Sequence, residues 1–411
     1  MKIAIIFDRF GPYHIARMRG AMQFAEVLAI EGAPHRAVYD WQAPDLPDGM
    51  GYAALSSAKG EETDAALIEE RLNERVAPFA PDAIAICGWS NMIALTALRW
   101  ARDSNIPAIC MSETNDWDFK RNWLVERLKS GIVAHFGAGL ATNDSQINYL
   151  AQLGLDRDRI FCGYNVVDND YFREAAAQHR NASDLPEEVA AFLPMSAKGR
   201  YFLSSNRFIE KKNLIRLLEA YSEFRKGRTG DVADWPLIML GDGELRQQIE
   251  ETIDRLNLGR HVHLPGFLQV EALPRFYGTA GAFVHASTVE QWGLVVNEAM
   301  AAGLPAAVSK RCGSAQFLIE DAVTGFVFDP YSTNEITFAL ERLAGLDADS
   351  PIRDAAAKRV ELLRPEKFGE ALANACAAAG KSNNKVGFFD RFALNIAIIK
   401  TSRAELRLRR S

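Results

Sequence analysis

Short apolar runs recur along the 411-residue chain, separated by longer segments that combine Leu, Ile and Ala with charged residues at helical spacing. Short runs of this kind that end in Gly, Asn or Ser are typical of strands buried on both faces of a parallel sheet. Their alternation with amphipathic helices indicates a doubly wound α/β fold. The predicted strands are 2–7, 82–87, 108–111, 139–142 and 160–162 in the first half, and 200–204, 237–240, 261–264, 282–285 and 305–308 in the second.

The alternation breaks once, over residues 173–199, where the chain is polar, rich in Ala and interrupted by prolines. We place a domain boundary there, because segments of this composition commonly link domains. The sequence thus predicts two Rossmann-like domains, 1–180 and 195–365, and a helical, basic tail, 366–411, that packs back on the first domain. Open parallel sheets bind ligands at the carboxyl ends of their strands, so we expect the two domains to face a cleft that holds the site.

The composition is that of a globular chain, with 48% apolar and 24% charged residues. Its net charge of −6 argues against a nucleic-acid-binding role. The five cysteines are scattered and lack metal-ligand spacing, which favours free thiols in a reducing compartment. The first apolar run is too short for a signal peptide, and no run approaches the roughly 20 residues that span a bilayer. We therefore expect a cytoplasmic protein.

Residues 285–305 are the most informative segment and read His-Ala-Ser-Thr-Val-Glu-Gln-Trp-Gly-Leu-Val-Val-Asn-Glu-Ala-Met-Ala-Ala-Gly-Leu-Pro. We interpret them as the end of a strand, a loop that carries Glu290, and a helix from about Leu294 to Ala302. Glu298 lies about one turn into this helix, where a carboxylate can accept hydrogen bonds from paired hydroxyls. Glu290 faces the same space from the loop.

The start of the same helix is suited to a phosphate. Gly293 allows close approach of a ligand to the backbone. The amides of Leu294 and Val295 belong to the first helical turn, where N–H groups lack intrahelical acceptors and the helix dipole is positive.

A second segment, residues 205–214, follows the first strand of the second domain and reads Ser-Asn-Arg-Phe-Ile-Glu-Lys-Lys-Asn-Leu. Arg207 and Lys212 at the carboxyl end of a strand suit two cations that hold a diphosphate and offset charge on a leaving group. Lys211 is the alternative to Lys212, because spacing does not separate adjacent lysines.

Both segments resemble glycosyltransferase family 4, the retaining enzymes of the GT-B fold. The resemblance rests on two glutamates separated by seven residues, Glu290 and Glu298, on the run Glu-Ala-Met-Ala-x-Gly-x-Pro over 298–305, and on an Arg-x4-Lys pattern. It implies that Glu290 lies at the donor sugar and reaction centre and that Glu298 binds the nucleotide ribose. It also implies that Arg207 and Lys212 bind the donor diphosphate.

Two further turns of the second domain fit the family pattern. Gly241 opens a Gly-x-Gly turn after a strand. We interpret this segment mainly as a tight turn and only secondarily as a ligand contact. Phe267 and Leu268 follow a strand where relatives bind the nucleobase. His261 and His263 alternate along that strand and need no metal, so no metal site is predicted.

The first domain carries weaker signals. Gly11 stands in the loop after the first strand, where the family has a Gly-containing loop near the donor phosphates. His14 follows close to Arg17 and either contacts phosphate or acceptor or packs at the helix start. Glu113 occupies the position at which many relatives carry a histidine near the donor sugar, so we predict an active-site residue that bonds the sugar or the acceptor.

The tail is basic. Residues 381–411 hold eight Lys or Arg against two acidic residues, a net charge of +6, while the rest of the chain carries −12. Two interpretations of the tail stay open: a helix that packs on the first domain, which we favour for its apolar part, and a basic or amphipathic element on an anionic membrane surface, which would use Arg403 to Arg410.

The predicted function is retaining transfer of a sugar from a nucleotide-diphosphate donor to a glycan or lipid-linked acceptor, in cell-surface polysaccharide synthesis, without a metal or another cofactor. One alternative is a non-catalytic relative that binds a nucleotide sugar or a glycan. The other is an NAD-dependent oxidoreductase, which the missing Gly-x-Gly-x-x-Gly motif disfavours.

Overall fold

The computed structural model describes residues 1–33, 42, 45–56, 64–118, 120–226, 235–347, 349–381 and 386–408, the last six of these by their backbone alone. The chain divides into two compact units, which we call the first and second domains. Met1–Val166 and Leu363–Ser411 form the first, and Val167–Leu362 form the second.

The two domains divide at Val166, whereas the sequence pattern suggested a boundary within 173–199. The helix that opens the second domain explains the difference, because it packs on a helix of the same domain. A Cβ at Gly278 would lie 2.3 Å from the carbonyl oxygen of Ala176, and the rings of Phe172 and Tyr277 lie 5.9 Å apart.

The first domain is built on a parallel sheet. Within its described residues the strand order is β3-β2-β1-β4-β5-β6-β7, with β1 between β2 and β4. The strands are β1 Lys2–Phe7, β2 Glu26–Glu31, β3 Gly51–Ala54, β4 Ala83–Cys87, β5 Ala108–Met111, β6 Ala138–Ala141 and β7 Ile160–Cys162. The helices between them are α1 Pro12–Met22, α2 Ala65–Arg75, α3 Met92–Asp103, α4 Trp123–Val133 and α5 Asp144–Gln152, with 3₁₀ turns at Ala77–Phe79 and Arg157–Arg159.

The second domain repeats this plan. Its described strands pair in the order β10-β9-β8-β11-β12-β13, again all parallel. They are β8 Phe202–Ser205, β9 Leu237–Leu240, β10 Val262–Gly266, β11 Ala282–His285, β12 Ala306–Ser309 and β13 Phe326–Phe328. The helices are α6 Asn169–Asn181, α7 Glu187–Ala190, α8 Leu214–Arg225, α9 Arg246–Arg255, α10 Leu273–Thr279, α11 Leu294–Ala301, α12 Gly313–Leu318, α13 Thr333–Ala344 and α14 Pro351–Val360, with 3₁₀ turns at Met195–Ala197 and Glu210–Lys212.

After a 3₁₀ turn at Glu361–Leu363 the chain returns to the first domain with α15 Pro365–Gly380 and α16 Phe388–Leu408. Helix α15 packs on α1 and α16 on α4. Leu394 and Ile398 of α16 are buried in the apolar core of the first domain. The apolar part of the tail is thus a structural element of that domain.

The apolar runs form strands because both faces of each sheet are covered by helices. Strand β1 is buried from Ile3 to Phe7, as expected for a central parallel strand. All ten predicted strands are present to within one or two residues, and the prediction of two doubly wound, Rossmann-like domains is confirmed. Strands β2, β3 and β13 were not predicted. Of these, β3 and β13 are short and lie at the edges of their sheets.

Helix α16 has 21 residues, which is long enough to cross a bilayer. Its charged residues lower its hydropathy, and among the described residues no helix is both long and apolar enough to cross a membrane.

The packing of α15 on α1 requires glycine. A Cβ at Gly369 would lie 2.2 Å from the carbonyl oxygen of Gly20. We expect Gly369→Ala to lower the free energy of unfolding by about 1–3 kcal/mol, because overpacking forces backbone shifts. Gly380 lies in the same helix with open space at its Cβ, so Gly380→Ala is the matched control and should change stability by at most about 1 kcal/mol. Urea unfolding followed by circular dichroism measures both, and equal losses would contradict a close helix contact.

Candidate functional site

Four predicted site residues of the second domain, Arg207, Lys212, Gly241 and Glu290, lie on loops that follow β8, β9 and β11. In a parallel sheet these loops emerge at the same edge, because all strands run in one direction. Strands β9, β8 and β11 are neighbours in the sheet. The topology therefore brings Arg207, Lys212, Gly241 and Glu290 to one edge of the second domain.

Backbone geometry positions Lys212. It ends the 3₁₀ turn Glu210–Lys212, and Asn213 follows in the left-handed conformation with φ of 58°. The side-chain amide of Asn213 donates to the carbonyl oxygens of Ala286 at 3.1 Å and Pro330 at 2.8 Å. The β8 loop is thereby fastened to the end of β11.

A second contact joins the same two loops. The amide of Thr288 donates to the carbonyl oxygen of Lys211 at 2.8 Å. This bond uses only the backbone of Lys211, and the Lys211 side chain is exposed. The side chain of the neighbouring Lys212, in contrast, is only 13% exposed. The structure thus separates the two lysines that the sequence left equivalent.

Lys212 and Glu290 form an ion pair through Nζ and Oε2, and both side chains are largely buried, with 13% and 12% exposed. The hydroxyl of Ser287 donates to the same carboxylate oxygen at 3.3 Å, and Nε2 of His285 lies 3.5 Å from it. Three side chains on two loops therefore converge on the Glu290 carboxylate.

This environment keeps Glu290 ionised. Burial favours the protonated carboxyl, but the charge of Lys212 and the contact with His285 outweigh it and hold the pKa of Glu290 well below its usual range. Burial first, and then the charge of Lys212, lower the pKa of His285, so its imidazole is neutral near pH 7.

The backbone of Glu290 is held on both sides. Its amide donates to the carbonyl oxygen of Arg311 at 3.1 Å, and its carbonyl accepts from the amide of Gly313 at 3.0 Å. Gly293, with φ of 91°, begins α11, and a Cβ there would lie 2.9 Å from Sγ of Cys312 and 3.3 Å from Cγ of Glu290. Glycine is therefore needed beside Glu290 for both its conformation and its size.

Leu294 and Val295 open α11 directly after Gly293 and are partly exposed. Their amides belong to the first turn of a helix, as the sequence predicted. Phosphate binding by them stays a prediction.

Glu298 lies apart from the Glu290 cluster. Its side chain is fully buried, and its Oε2 accepts a hydrogen bond from the hydroxyl of Tyr277 at 2.7 Å. Tyr277 belongs to α10, so this contact ties α11 to α10. A ribose would have to reach this buried carboxylate to bind it, and ribose binding by Glu298 stays a prediction.

Arg207 is exposed on the loop after β8, which rests on the Gly241 turn. Gly241 has φ of 123°, and a Cβ there would lie 1.7 Å from the carbonyl oxygen of Asn206. The amide of Phe208 donates to the carbonyl oxygen of Asp242 at 2.8 Å. The turn thus supports the backbone on both sides of Arg207, and its glycine is structural.

Phe267 and Leu268 follow β10 and are half-buried. Gly266, with φ of 95°, sets the turn before them. On the preceding strand, Nε2 of His261 contacts the guanidinium of Arg225 at 3.1 Å. No group of three or more His, Cys, Asp or Glu side chains in the described part of the chain is placed to hold a metal ion.

In the first domain, Gly11 and His14 meet at the start of α1. The amide of Gly11 donates to Nδ1 of His14 at 3.0 Å, and the imidazole lies 4.3 Å from the ring of Phe7. Burial first, and then the charge of Arg17, lower the pKa of His14 to about 3. The neutral imidazole therefore accepts a hydrogen bond at the start of the helix. Of the two interpretations of His14, this favours packing at the helix start over contact with phosphate or acceptor.

Glu113 lies in the loop after β5, and its side chain is 32% exposed. Its Oε1 lies 3.5 Å from Nη2 of Arg17, which is 2% exposed. The guanidinium of Arg17 lies over the ring of Tyr164, and the Tyr164 hydroxyl contacts Sγ of Cys87 at 3.3 Å. The first domain thus carries its own polar cluster at the carboxyl edge of its sheet.

Several contacts were not predicted from the sequence. His285, Ser287 and Tyr277 touch the predicted glutamates, and Tyr164 and Cys87 lie beside Arg17. His285 and Ser287 stand inside the segment 285–305, so their position at a strand end was a usable signal. Tyr277, Tyr164 and Cys87 come from distant parts of the chain and carried none.

The lowered pKa of Glu290 gives a pH prediction. Its usual pKa is 4.5, so ionised Glu290 stabilises the folded state fully above that pH, and the stabilisation is lost as pH falls towards the lowered pKa. We expect Glu290→Gln to lower the unfolding free energy by about 3 kcal/mol at neutral pH, and the difference from wild type to shrink in acid.

Urea unfolding of both proteins from neutral to acidic pH measures this difference. The control is Glu250→Gln, which removes the exposed pair of Glu250 with Arg246 and should cost less than about 1 kcal/mol. A Glu290→Gln loss that is independent of pH would show that the ion pair does not stabilise the fold.

Residues 187–359 match the family model described as "Glycosyl transferases group 1". Among curated proteins, the alpha-D-kanosaminyltransferase of Streptomyces kanamyceticus is 31% identical over 163 residues, which is 39% of this chain and 40% of that protein. The alpha-monoglucosyldiacylglycerol synthase of Acholeplasma laidlawii is 30% identical over 123 residues, 30% of each chain. The matched stretches thus span less than half the length of these relatives.

Solved structures match over nearly the whole chain. HepE of Anabaena, solved in complex with UDP and glucose, has a TM-score of 0.67 at 16% identity and covers 91% of this chain and 98% of its own. Sucrose-phosphate synthase of Thermosynechococcus elongatus has a TM-score of 0.69 at 17% identity, covering 90% and 97%. At these identities the likeness shows the fold, which is the GT-B class, and the family match lies within the second domain.

Proposed function

We propose that this protein is a glycosyltransferase that moves a sugar from a nucleotide-diphosphate donor to an acceptor hydroxyl. The observation that carries the proposal is the Lys212–Glu290 ion pair at the strand ends of the second domain. This pair lies inside the segment that matches glycosyl transferases group 1. The chain's relatives include an alpha-D-kanosaminyltransferase and an alpha-monoglucosyldiacylglycerol synthase.

In the proposed reaction the second domain binds the donor. Arg207 and Lys212 neutralise the diphosphate, and the first-turn amides of α11 donate hydrogen bonds to its oxygens. Glu290, ionised and anchored by three contacts, accepts hydrogen bonds from sugar hydroxyls. Fixed charges of this kind need no reorganisation when charge develops on the leaving diphosphate. Arg207, Lys212 and the amides of α11 supply the positive charge that the departing diphosphate requires, so we propose that no metal is needed.

We further propose that the transfer retains the anomeric configuration. The bond between the anomeric carbon and the diphosphate breaks, and the acceptor oxygen attacks from the face that the diphosphate leaves. The leaving phosphate takes the proton of the acceptor hydroxyl. Glu298 binds the ribose and Phe267 the base, both as predictions from the family resemblance.

A glycan or lipid-linked acceptor in cell-surface polysaccharide synthesis is the acceptor class that we propose, at the cytoplasmic face of a membrane. The free state of all five cysteines suits a reducing compartment. Helix α16 supports a peripheral membrane contact: Phe388, Phe392 and Ile399 lie on one side of it at helical spacing and are 88%, 49% and 51% exposed. We call these three residues the α16 stripe.

Cations flank the α16 stripe. Arg391 and Lys400 of the same helix are exposed, and the net charge of +6 over 381–411 favours an anionic surface. An apolar stripe beside cations is typical of helices that lie in the lipid interface. The side chains of Arg403 to Arg410, which the sequence also assigned to membrane contact, lie outside the described residues.

The transferase proposal is tested on donor turnover. We expect a panel of nucleotide-diphosphate sugars to include a donor that raises the melting temperature, by mass action, and is slowly hydrolysed without acceptor. Arg207→Ala and Lys212→Ala should each lower kcat by about 10²–10³-fold, because each removes a charge aimed at the leaving group. Lys211→Ala should lower it far less.

The control for these variants is Lys226→Ala, which removes an exposed lysine of the same domain that pairs with Glu223. Circular dichroism verifies that each variant folds. Binding of a nucleotide sugar without turnover would favour a non-catalytic relative, and selective binding of NAD would favour an oxidoreductase. Equal turnover of Lys212→Ala and wild type would remove Lys212 from the reaction.

The membrane contact is tested with vesicles. We expect the full chain to co-float with vesicles that contain anionic phosphatidylglycerol and to be released by salt. Phe388→Ser combined with Phe392→Ser should weaken this binding by about tenfold or more, because buried apolar area is lost. Phe338→Ser, which changes a 59% exposed residue of the second domain, is the matched control. Binding that is unchanged by the double variant, or equal on neutral vesicles, would contradict the proposal.

A further inference from the structure

Arg17 is a buried cation whose hydrogen-bonding capacity is only partly used. It lies in α1, and its side chain is 2% exposed. Within the described part of the chain, its Nε and Nη2 atoms have no hydrogen-bond acceptor. Burying a guanidinium with unused donors costs free energy. Such a cost suggests a role other than stability.

The orientation of Arg17 is set by Tyr164. The guanidinium carbon lies over the Tyr164 ring, 4.3 Å from its centre, a cation–π contact. The Tyr164 hydroxyl in turn contacts Sγ of Cys87 at 3.3 Å. The planar guanidinium therefore presents its edge in a fixed direction.

The carboxylate of Glu113 lies beside the guanidinium of Arg17. Nη2 of Arg17 lies 3.5 Å from Oε1 of Glu113. The backbone of Glu113 is held separately, because its carbonyl accepts a hydrogen bond from the side chain of Gln146 at 3.2 Å. The Glu113 side chain keeps 32% of its surface exposed, so part of it stays open to solvent while it lies beside the buried cation.

The other titratable groups that act on this cluster are Cys87, Tyr164, His14 and Asp8. Burial raises the pKa of the Cys87 thiol and of the Tyr164 hydroxyl, so both are neutral near pH 7. His14, next to Arg17, is also neutral. Asp8 acts on Cys87 at the end of β1. Arg17 is thus the cation against which the Glu113 carboxylate is held.

We propose that Arg17 is a positioning residue that keeps the Glu113 carboxylate ionised and aimed at a hydroxyl of a sugar ligand. A carboxylate held in this way accepts a hydrogen bond from the hydroxyl of the ligand. The inference rests on the proposed transferase function and adds to it the residue that supports Glu113.

The test compares Arg17→Met, Arg17→Lys and Glu113→Gln in transfer assays. We expect Arg17→Met to lower kcat/KM by about 10²-fold, because a misplaced contact group costs about that much. Its acidic limb in the pH profile should move up by about one pH unit, since loss of a nearby cation raises the pKa of a carboxyl. Glu113→Gln should abolish that limb, and Arg17→Lys should restore part of the rate and of the pH profile.

A double variant separates positioning from a merely structural role. If Arg17 acts through Glu113, Arg17→Met combined with Glu113→Gln should be no slower than Glu113→Gln alone. If Arg17 only stabilises the fold, Arg17→Met lowers the melting temperature without moving the acidic limb, and the two losses multiply. Either of those results overturns the inference. The folded state of each variant is verified by circular dichroism, and Arg17→Lys with Glu113→Gln keeps the test decisive should Arg17→Met not fold.

The two proposals fail differently. An active wild type with an unshifted Arg17→Met profile would reject the role of Arg17 and leave the transferase proposal intact. A wild type that turns over no nucleotide sugar would reject the transferase proposal, and the role of Arg17 would fall with it. Donor hydrolysis by wild type, measured first, shows which of the two applies.

Discussion

The ion pair between Lys212 and Glu290 organises the second domain's functional edge. It joins loops that follow two neighbouring parallel strands, and hydrogen bonds from the backbone amide of Thr288 and the side-chain amide of Asn213 hold the same loops together. With little solvent around them, the two charges are weakly screened, so the pair fixes both side chains more firmly than an exposed pair would. In the proposed reaction, the donor diphosphate meets a site whose charges are already in place.

The first domain also holds an acid–cation pair, but with a different arrangement. There the cation, Arg17, is buried and stacked on Tyr164, and the acid, Glu113, is the more exposed partner. In the second domain both partners are buried to a similar degree. The pair in the first domain therefore leaves part of its carboxylate open to solvent, whereas both partners of the pair in the second domain are largely enclosed. This contrast follows from burial alone.

The sequence predicted the fold and the site to different depths. Strands such as β1 and β11 were found because both faces are buried and their apolar runs are continuous, whereas the edge strands β3 and β13 and the inner strand β2 were missed. Glu290, Gly293 and Lys212 stood in local patterns and lie where those patterns indicated. The burial of Glu298 against Tyr277 had no local signal, because the two residues meet only when α10 and α11 pack.

By itself the sequence determined the alternation of strands and helices, the loops at the ends of the predicted strands and the residue types on them, because these depend on short-range periodicity and turn chemistry. Only the tertiary structure decided that Lys212 rather than Lys211 pairs with Glu290, that Gly241 supports the backbone around Arg207, and that Arg17 faces Glu113. Each of those outcomes depends on which atoms lie within a few ångströms across distant parts of the chain. Distances of that kind are set by packing, which no local pattern encodes.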